Sequence, residues 1–217
     1  FITFNTLEGY LETIKDYINI PNDKFKDISL DLKQQVNNGT IQMESELYNH
    51  IRPKGIISKD IRPYNQLKEN GIEYLEIRSI DLNPYSSIGI SMEDIEFLEL
   101  VSLYCALSDA PKINDVESLC IKENIRRSSE SGQNCNFISS LDGDKAEAPA
   151  DVITNSFLGE LEDFAKIMGL SKEKKKMFEE FFQRNTTTLS MKFIEDVEKS
   201  GGVLPLVLEK SVHTKRN

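Results

Sequence analysis

Zinc and redox chemistry are the first things this sequence does without. Its three cysteines, Cys105, Cys120 and Cys135, are widely spaced, and no close pair supplies the geometry of a zinc site or a redox dithiol. An odd cysteine count with no visible targeting segment fits a reducing cytosol, so a cytoplasmic location is expected. Of the two histidines, His50 has no paired nucleophile and reads as structural, and His213 sits in a polar tail. There is no glycine-rich phosphate loop, which excludes a P-loop enzyme within this chain. No apolar run approaches the ~20 residues that a bilayer-spanning helix needs, so no membrane partner is expected. Positive charge is also scarce: 26 Lys and Arg face 36 Asp and Glu, for a net charge of −10. The one basic run, Lys172 to Lys176, is interrupted by Glu173, follows Ser171 as a helix cap, and reads as a solvated helix face. Nucleic acid is therefore not expected as a partner. ATP is not excluded, because it arrives with magnesium, which acidic residues hold.

At 217 residues the chain has room for one or two domains and enough apolar content to bury a core. Residues 6–19 place Leu7, Tyr10, Leu11, Ile14, Tyr17 and Ile18 at helical spacing, with Asn5 as cap and Glu8 three residues on. IQMESELYNHIRPK (41–54) and GIEYLEIRSIDLNPYSSIGI (71–90) read as strands, separated by a polar loop (55–70) in which Pro63 breaks regular structure. NPYSS (83–87) is a turn. Ser91 caps an amphipathic helix running to about Leu107, with a stripe that includes Ile95, Leu98, Val101, Leu103 and Leu107. Cys105, in that helix, reads as a small hydrophobe. Asn114 with Glu117 opens a further helix to about Ser129. Residues 131–150 are rich in Gly, Ser, Asn and Asp and read as a flexible loop or linker. Helices are expected near 151–169, 172–184 and 189–199, with a short one at 203–210. The expected organisation is a helix-plus-strand part (1–90), packing helices (91–130), the loop (131–150) and a helical C-terminal region (151–217). The fold class is α+β, mainly helical toward the C-terminus.

The chemistry concentrates in the two strands. Alternate residues of a strand point to one face. That puts Gln42, Glu44, Glu46 and Tyr48 on one face of the first, opposite Ile41, Met43, Ser45 and Leu47. In the second, Tyr74, Glu76 and Arg78 share a face opposite Glu73, Leu75, Ile77 and Ser79. A half-buried strand ordinarily turns scattered Lys, Thr and Ser outward. Here the polar faces carry carboxylates, a guanidinium and two phenols, with Arg52 and Lys54 just beyond, where they could meet nucleotide phosphates. Such a lining suits a site that holds a divalent metal and transfers a phosphoryl group. Plainer readings remain open: a structural ion pair at Glu76 and Arg78, an outward Glu44, a core Tyr48, and a solvated loop pair at Arg52 and Lys54.

The words ESELYNHIRPK and GIEYLEIRSIDLNPYSSIGI, with YCALSDAP (104–111), resemble the glutamate–cysteine ligase family of gammaproteobacterial type. Weaker similarity runs through FITFNTLEGYLETIKDYI and ESLCIKENIRRSSESG. The resemblance is good over residues 1–132 and thin beyond. It implies a glutamine-synthetase-like α+β catalytic fold, of which this chain contributes the later strands and the helical remainder. It also implies ATP-dependent ligation of the glutamate γ-carboxylate to the cysteine amine through an acyl phosphate, the first step of glutathione biosynthesis. ATP and Mg2+ are then the cofactors, and L-glutamate and L-cysteine the substrates. By the same resemblance Glu76 is a metal ligand and Arg78 the catalytic contact to the transferred phosphate or the tetrahedral intermediate. Tyr48, in the cysteine pocket, and Glu46 are substrate-binding residues. In that family FITFNTL lies near the middle of a chain roughly twice this length, so a C-terminal part that is inactive alone is expected. Two rivals stand beside this reading. One is another carboxylate–amine ligase of the superfamily, including the ligase part of a bifunctional glutathione synthase. The other is a non-catalytic helical interaction domain whose polar strand faces are merely solvated.

Overall fold

The computed structural model describes residues 2–28, 35–56, 60–141, 144–170, 174, 176, 178 and 188–214. The chain divides into two compact units, Phe1–Ile80 with Lys112–Leu119, and Asp81–Pro111 with Cys120–Asn217.

In the first unit, α1 (Leu7–Asn19) starts at Thr6, whose hydroxyl accepts from Gly9 N at 3.0 Å. The expected cap, Asn5, is engaged elsewhere: its Nδ2 donates to Ile113 O at 2.8 Å and its Oδ1 accepts from Ile113 N at 2.9 Å. Thr6 therefore satisfies the helix end one residue later. Tyr10, Leu11 and Ile14 form the buried stripe of α1 and pack with Leu67 of α2 (Pro63–Asn70). Pro63, expected as a breaker inside a loop, instead opens a helix. At the first helical position its missing N–H loses no partner and its fixed φ suits the turn. Gly71, at φ +77°, stops α2, and its N donates to Leu67 O at 3.0 Å.

Strand β1 (Ile51–Lys54) pairs antiparallel with β2 (Tyr74–Ile77), with Arg52 opposite Glu76 and Lys54 opposite Tyr74. Both strands are much shorter than the runs 41–54 and 71–90. Glu44–Glu46 is a single 3-10 turn, so the expected alternation of Gln42, Glu44, Glu46 and Tyr48 along one strand face is absent. Glu44 turns inward, whereas Glu46 and Tyr48 are exposed. The cause lies in where the backbone donors go. Gln42 N donates to Glu46 Oε2 at 2.7 Å and Glu46 N to Met43 O at 3.1 Å, which closes a turn instead of a ladder.

In the second unit, α3 (Met92–Leu107) begins at Ser91 as expected, with a reciprocal cap. Ser91 Oγ accepts from Asp94 N at 3.1 Å, and Asp94 Oδ2 accepts from Ser91 N at 3.0 Å. The helix α4 (Asp115–Ser131), whose residues up to Leu119 belong to the first unit, opens in the same way, with Asn114 Oδ1 accepting from Glu117 N at 3.0 Å and Glu117 Oε2 from Asn114 N at 2.8 Å. Residues 131–150, expected as a flexible loop, hold a hairpin instead, β3 (Asn136–Leu141) against β4 (Asp144–Pro149). Side chains of α4 hold its backbone. Asn124 exchanges two 2.8 Å bonds with the N and O of Ile138, and Arg127 donates to Asn136 O at 2.9 Å and to Glu147 at 2.8 Å.

Further along the chain are α5 (Ala150–Ile167), α6 (Leu189–Lys199) and α7 (Val203–Thr214). The helix expected near 172–184 lies largely outside the described residues. Leu161 and Ala165 of α5 form a core with Leu100 of α3 and with Phe178. The inward stripe of α3 is Phe97, Leu100, Val101 and Tyr104. Of the expected stripe only Val101 joins it, while Ile95, Leu103 and Leu107 are exposed. This helix is apolar around most of its circumference, so spacing alone allows several stripes and α5 selects one. Cys105 is exposed and Cys120 is the buried cysteine. Among the described residues, no helix is long and apolar enough to cross a membrane.

Candidate functional site

The β1–β2 register builds a charged face. Residues two apart on a strand point the same way, so Arg52 and Lys54 join Tyr74 and Glu76 on one side. Arg78 N donates to His50 O at 2.7 Å, which continues the pairing one step past the strands. The grouping of Tyr74, Glu76 and Arg78 on one face is thus present. Arg52 and Lys54, expected beyond a strand, lie within one.

Glu76 sits between two of the cations. Its Oε2 is 3.2 Å from Lys54 Nζ and its Oε1 is 3.4 Å from Arg78 Nε. The close Lys54 ammonium holds its carboxyl below the ordinary carboxylate range, against some desolvation, with Arg78 and Arg52 adding charge attraction. The Arg78 guanidinium carbon lies 5.4 Å from the ring centre of Tyr48, a cation–π brace on a tyrosine that is otherwise 74% exposed. Arg52 donates from Nη2 to Ser45 O at 3.1 Å and to Leu47 O, so the 3-10 turn fixes its guanidinium through carbonyls. Three cations surround one carboxylate, and the face carries a positive balance.

Beside this face is a cleft of about 540 Å³, whose lining includes Tyr10, Arg52, Lys54, Arg62, Tyr64 and Tyr74. Glu44, expected to be either an outward residue or a site residue, is 9% exposed and forms an ion pair. It accepts from Arg62 Nε at 3.3 Å and Nη2 at 2.6 Å, and from Tyr64 N at 3.4 Å. Burial by itself raises the Glu44 pKa, but the bonds from Arg62 and from backbone N–H groups outweigh it and leave a net lowering. Glu46 meets Gln42 N, and no described contact joins it to the β1–β2 face. The fold thus gathers Arg52, Lys54, Glu76, Arg78 and Tyr48, and leaves Glu46 in the turn. Sequence reasoning missed Arg62, Tyr10 and Tyr64. The only local signal was Pro63, which marks a helix start next to Arg62.

The glutamate–cysteine ligase family matches residues 1–128, more than half of the chain. The chain belongs to the glutamate–cysteine ligase family. A relative from Proteus mirabilis, named glutamate–cysteine ligase, is 31% identical over 98% of this chain and 42% of its own length. One of the same name from Serratia proteamaculans is 33% identical over 77% of this chain and 33% of its own. Among solved structures, the glutamate–cysteine ligase of Francisella tularensis in complex with AMP superposes with a TM-score of 0.85 at 25% identity, covering 99% of this chain and 44% of that one. A bifunctional glutathione synthetase from Pasteurella multocida shares the fold, with a TM-score of 0.68 at 19% identity over 100% of this chain and 24% of its own. The chain spans less than half the length of these proteins. Every residue of the charged face and of the cleft falls inside the segment that matches the ligase family.

Magnesium, which the ligase family implies, prefers several oxygen ligands at once. Among the described residues no group of three or more His, Cys, Asp or Glu is placed to hold a metal ion. Glu76, the one carboxylate of the β1–β2 face, is already paired with Lys54 and Arg78. This donor set fits phosphate oxygens and does not by itself fit a divalent cation.

Proposed function

We propose that this chain supplies phosphoryl-transfer groups to an ATP-dependent glutamate–cysteine ligase. The observation that carries the reading is the Arg52–Lys54–Glu76–Arg78 face, with its cations fixed by one carboxylate and two backbone carbonyls. The AMP in the Francisella tularensis ligase supports a nucleotide as occupant.

In this reading an oxygen of the glutamate γ-carboxylate attacks the γ-phosphorus of ATP, and ADP leaves. The cysteine amine then attacks the carbonyl carbon of the acyl phosphate, loses a proton, and inorganic phosphate departs. Such chemistry asks the protein mainly for positioning and charge neutralisation. Arg52 and Lys54 hold nucleotide phosphates. Arg78 forks onto the oxygens of the transferring group, where developing charge is greatest. Glu76 keeps Lys54 and Arg78 oriented, and Tyr48 braces Arg78 while bordering the cysteine. Glu46 remains a candidate substrate contact from the exposed turn. Magnesium would neutralise phosphate charge when bound, but these residues do not complete a site for it, so neither Glu76 nor any step is assigned to it. A glutamine-synthetase-like catalytic fold and a cytoplasmic setting complete the proposal.

The test is ADP release by the protein expressed from its full reading frame. Release should require glutamate and cysteine together, and Arg52→Gln with Lys54→Gln should raise the KM for ATP. ADP release that ignores cysteine but responds to another amine would favour a different carboxylate–amine ligase. A protein that binds no nucleotide would overturn the reading.

A further inference from the structure

Glu44 and Arg62 lie outside that mechanism, yet they form an arrangement a merely structural pair does not require. Among the described residues Glu44 is the sole buried carboxylate. Burying a charge is unfavourable unless it is paired and hydrogen-bonded, and a well-packed apolar residue commonly serves stability as well. Here the carboxylate is turned toward an arginine whose own side chain is 61% exposed. It grips Arg62 through Nε and Nη2 and leaves Nη1 without a described partner. Arg62, Glu44 and Tyr64 border the 540 Å³ cleft and a second one of about 450 Å³. Both volumes lie in the range of small-molecule sites.

Arg52 borders the first cleft too, fixed by the carbonyls of Ser45 and Leu47. Two guanidinium groups, each held by acceptors of the protein, therefore border one cleft walled by Tyr10, Tyr64 and Tyr74. The lining sets Arg52, Lys54 and Arg62 against Glu44 and Asp60, and Glu44 is committed to Arg62. We propose that Arg62, positioned by buried Glu44, is a further anion-binding residue of this cleft, holding a phosphate or carboxylate group of a ligand whose other anionic group meets Arg52. The inference rests on the reading of Arg52 as a ligand contact, and it adds the second anchor.

Calorimetric titration of the chain with pyrophosphate, AMP and L-glutamate as separate probes, at low salt, tests this. Arg62→Gln should weaken the probe that Arg62 holds by at least about fivefold, as expected for a lost charge-assisted bond at a partly exposed site. Weakening of pyrophosphate and AMP alone identifies a phosphate, and weakening of glutamate alone a carboxylate. Arg62→Lys should restore only part of the affinity, because it lacks the fork. Glu44→Gln, which keeps the arginine but loosens its grip, should weaken the same probe less. Should Arg62→Gln fold poorly with Glu44 left unpaired, the double variant Glu44→Gln/Arg62→Gln restores a neutral pair and should bind as weakly as Arg62→Gln. Wild-type affinity in both glutamine variants, with affinity lost in Arg52→Gln, would make Arg62 a structural clasp and leave the ligase reading standing. Absence of binding by all three probes to the unsubstituted chain would overturn the Arg62 proposal, while the ligase reading is decided separately by ADP release.

Discussion

Replacing Arg78 with lysine keeps the charge and removes the planar fork. In the folded chain the Arg78 side chain makes a 3.4 Å ion pair with Glu76 and a cation–π contact at 5.4 Å with Tyr48. Its backbone bond to His50 O is untouched by the substitution. The ion pair is only partly shielded, with Arg78 29% and Glu76 36% exposed, and pairs so close to water contribute little to stability. The contact with Tyr48 is worth about 0.5–1 kcal/mol at such a site. Lysine retains the charge for the first and part of the second, so the stability loss should stay below about 1 kcal/mol. A donor that meets charge developing in the transition state is worth more, about 3 kcal/mol or on the order of 100-fold in turnover. The two magnitudes are separable by measuring urea unfolding and steady-state kinetics on the same protein, expressed from its full reading frame. Turnover should fall about 100-fold, with glutamate KM changed less and the unfolding midpoint nearly unmoved. Arg78→Ala should cost turnover at least as much. Turnover within about threefold of the parent in a folded Arg78→Lys protein would refute the donor role. So would a fall no larger than the loss of folded protein.

Four other outcomes follow from the packing and the charges. Leu161→Ala empties a fully buried position beside Leu100 and Phe178 and should cost about 3 kcal/mol in denaturant unfolding. Leu103→Ala, on the exposed side of α3, should cost under about 0.5 kcal/mol. Thr6→Ala should lose about 1 kcal/mol as the cap of α1, and Thr6→Ser should restore most of it. Tyr85 donates its hydroxyl to Asp196 at 2.6 Å, with Lys192 and Lys210 each 4.1 Å from its ring centre. Burial, then the bond to Asp196, pushes its pKa from 10.0 up to about 12. A raised folded pKa means that this contribution to stability is complete below pH 10 and lost as pH rises through about 12. Ultraviolet titration should show a tyrosine ionising at about pH 12 that Tyr85→Phe removes, and titration of Tyr85 near 10.0 would count against the contact.

Some features that close within a few residues were legible from the chain alone. Ser91 with Asp94 and Asn114 with Glu117 cap their helices because donor and acceptor stand three residues apart, a spacing that the helix geometry itself imposes. The shared face of Tyr74, Glu76 and Arg78 followed from the two-residue period of a strand. The words around Glu76 and Arg78 likewise carried the family resemblance that the match over residues 1–128 bears out.

Tertiary structure decided which of several locally allowed states the remainder took. The turn at Glu44–Glu46 closes locally, but the Glu44 carboxylate could point to water or inward, and Arg62, 18 residues away, holds it inward. The α3 helix could bury any of several apolar stripes, and Leu161 and Ala165 of α5 select the one through Leu100. Residues 136–149 lack the apolar content to signal a hairpin, and Asn124 and Arg127 of α4 supply the bonds that hold it. In each case the deciding group belongs to a distant segment. Its free energy enters only when the fold brings it near, so the period and capping rules of the local chain leave the choice open.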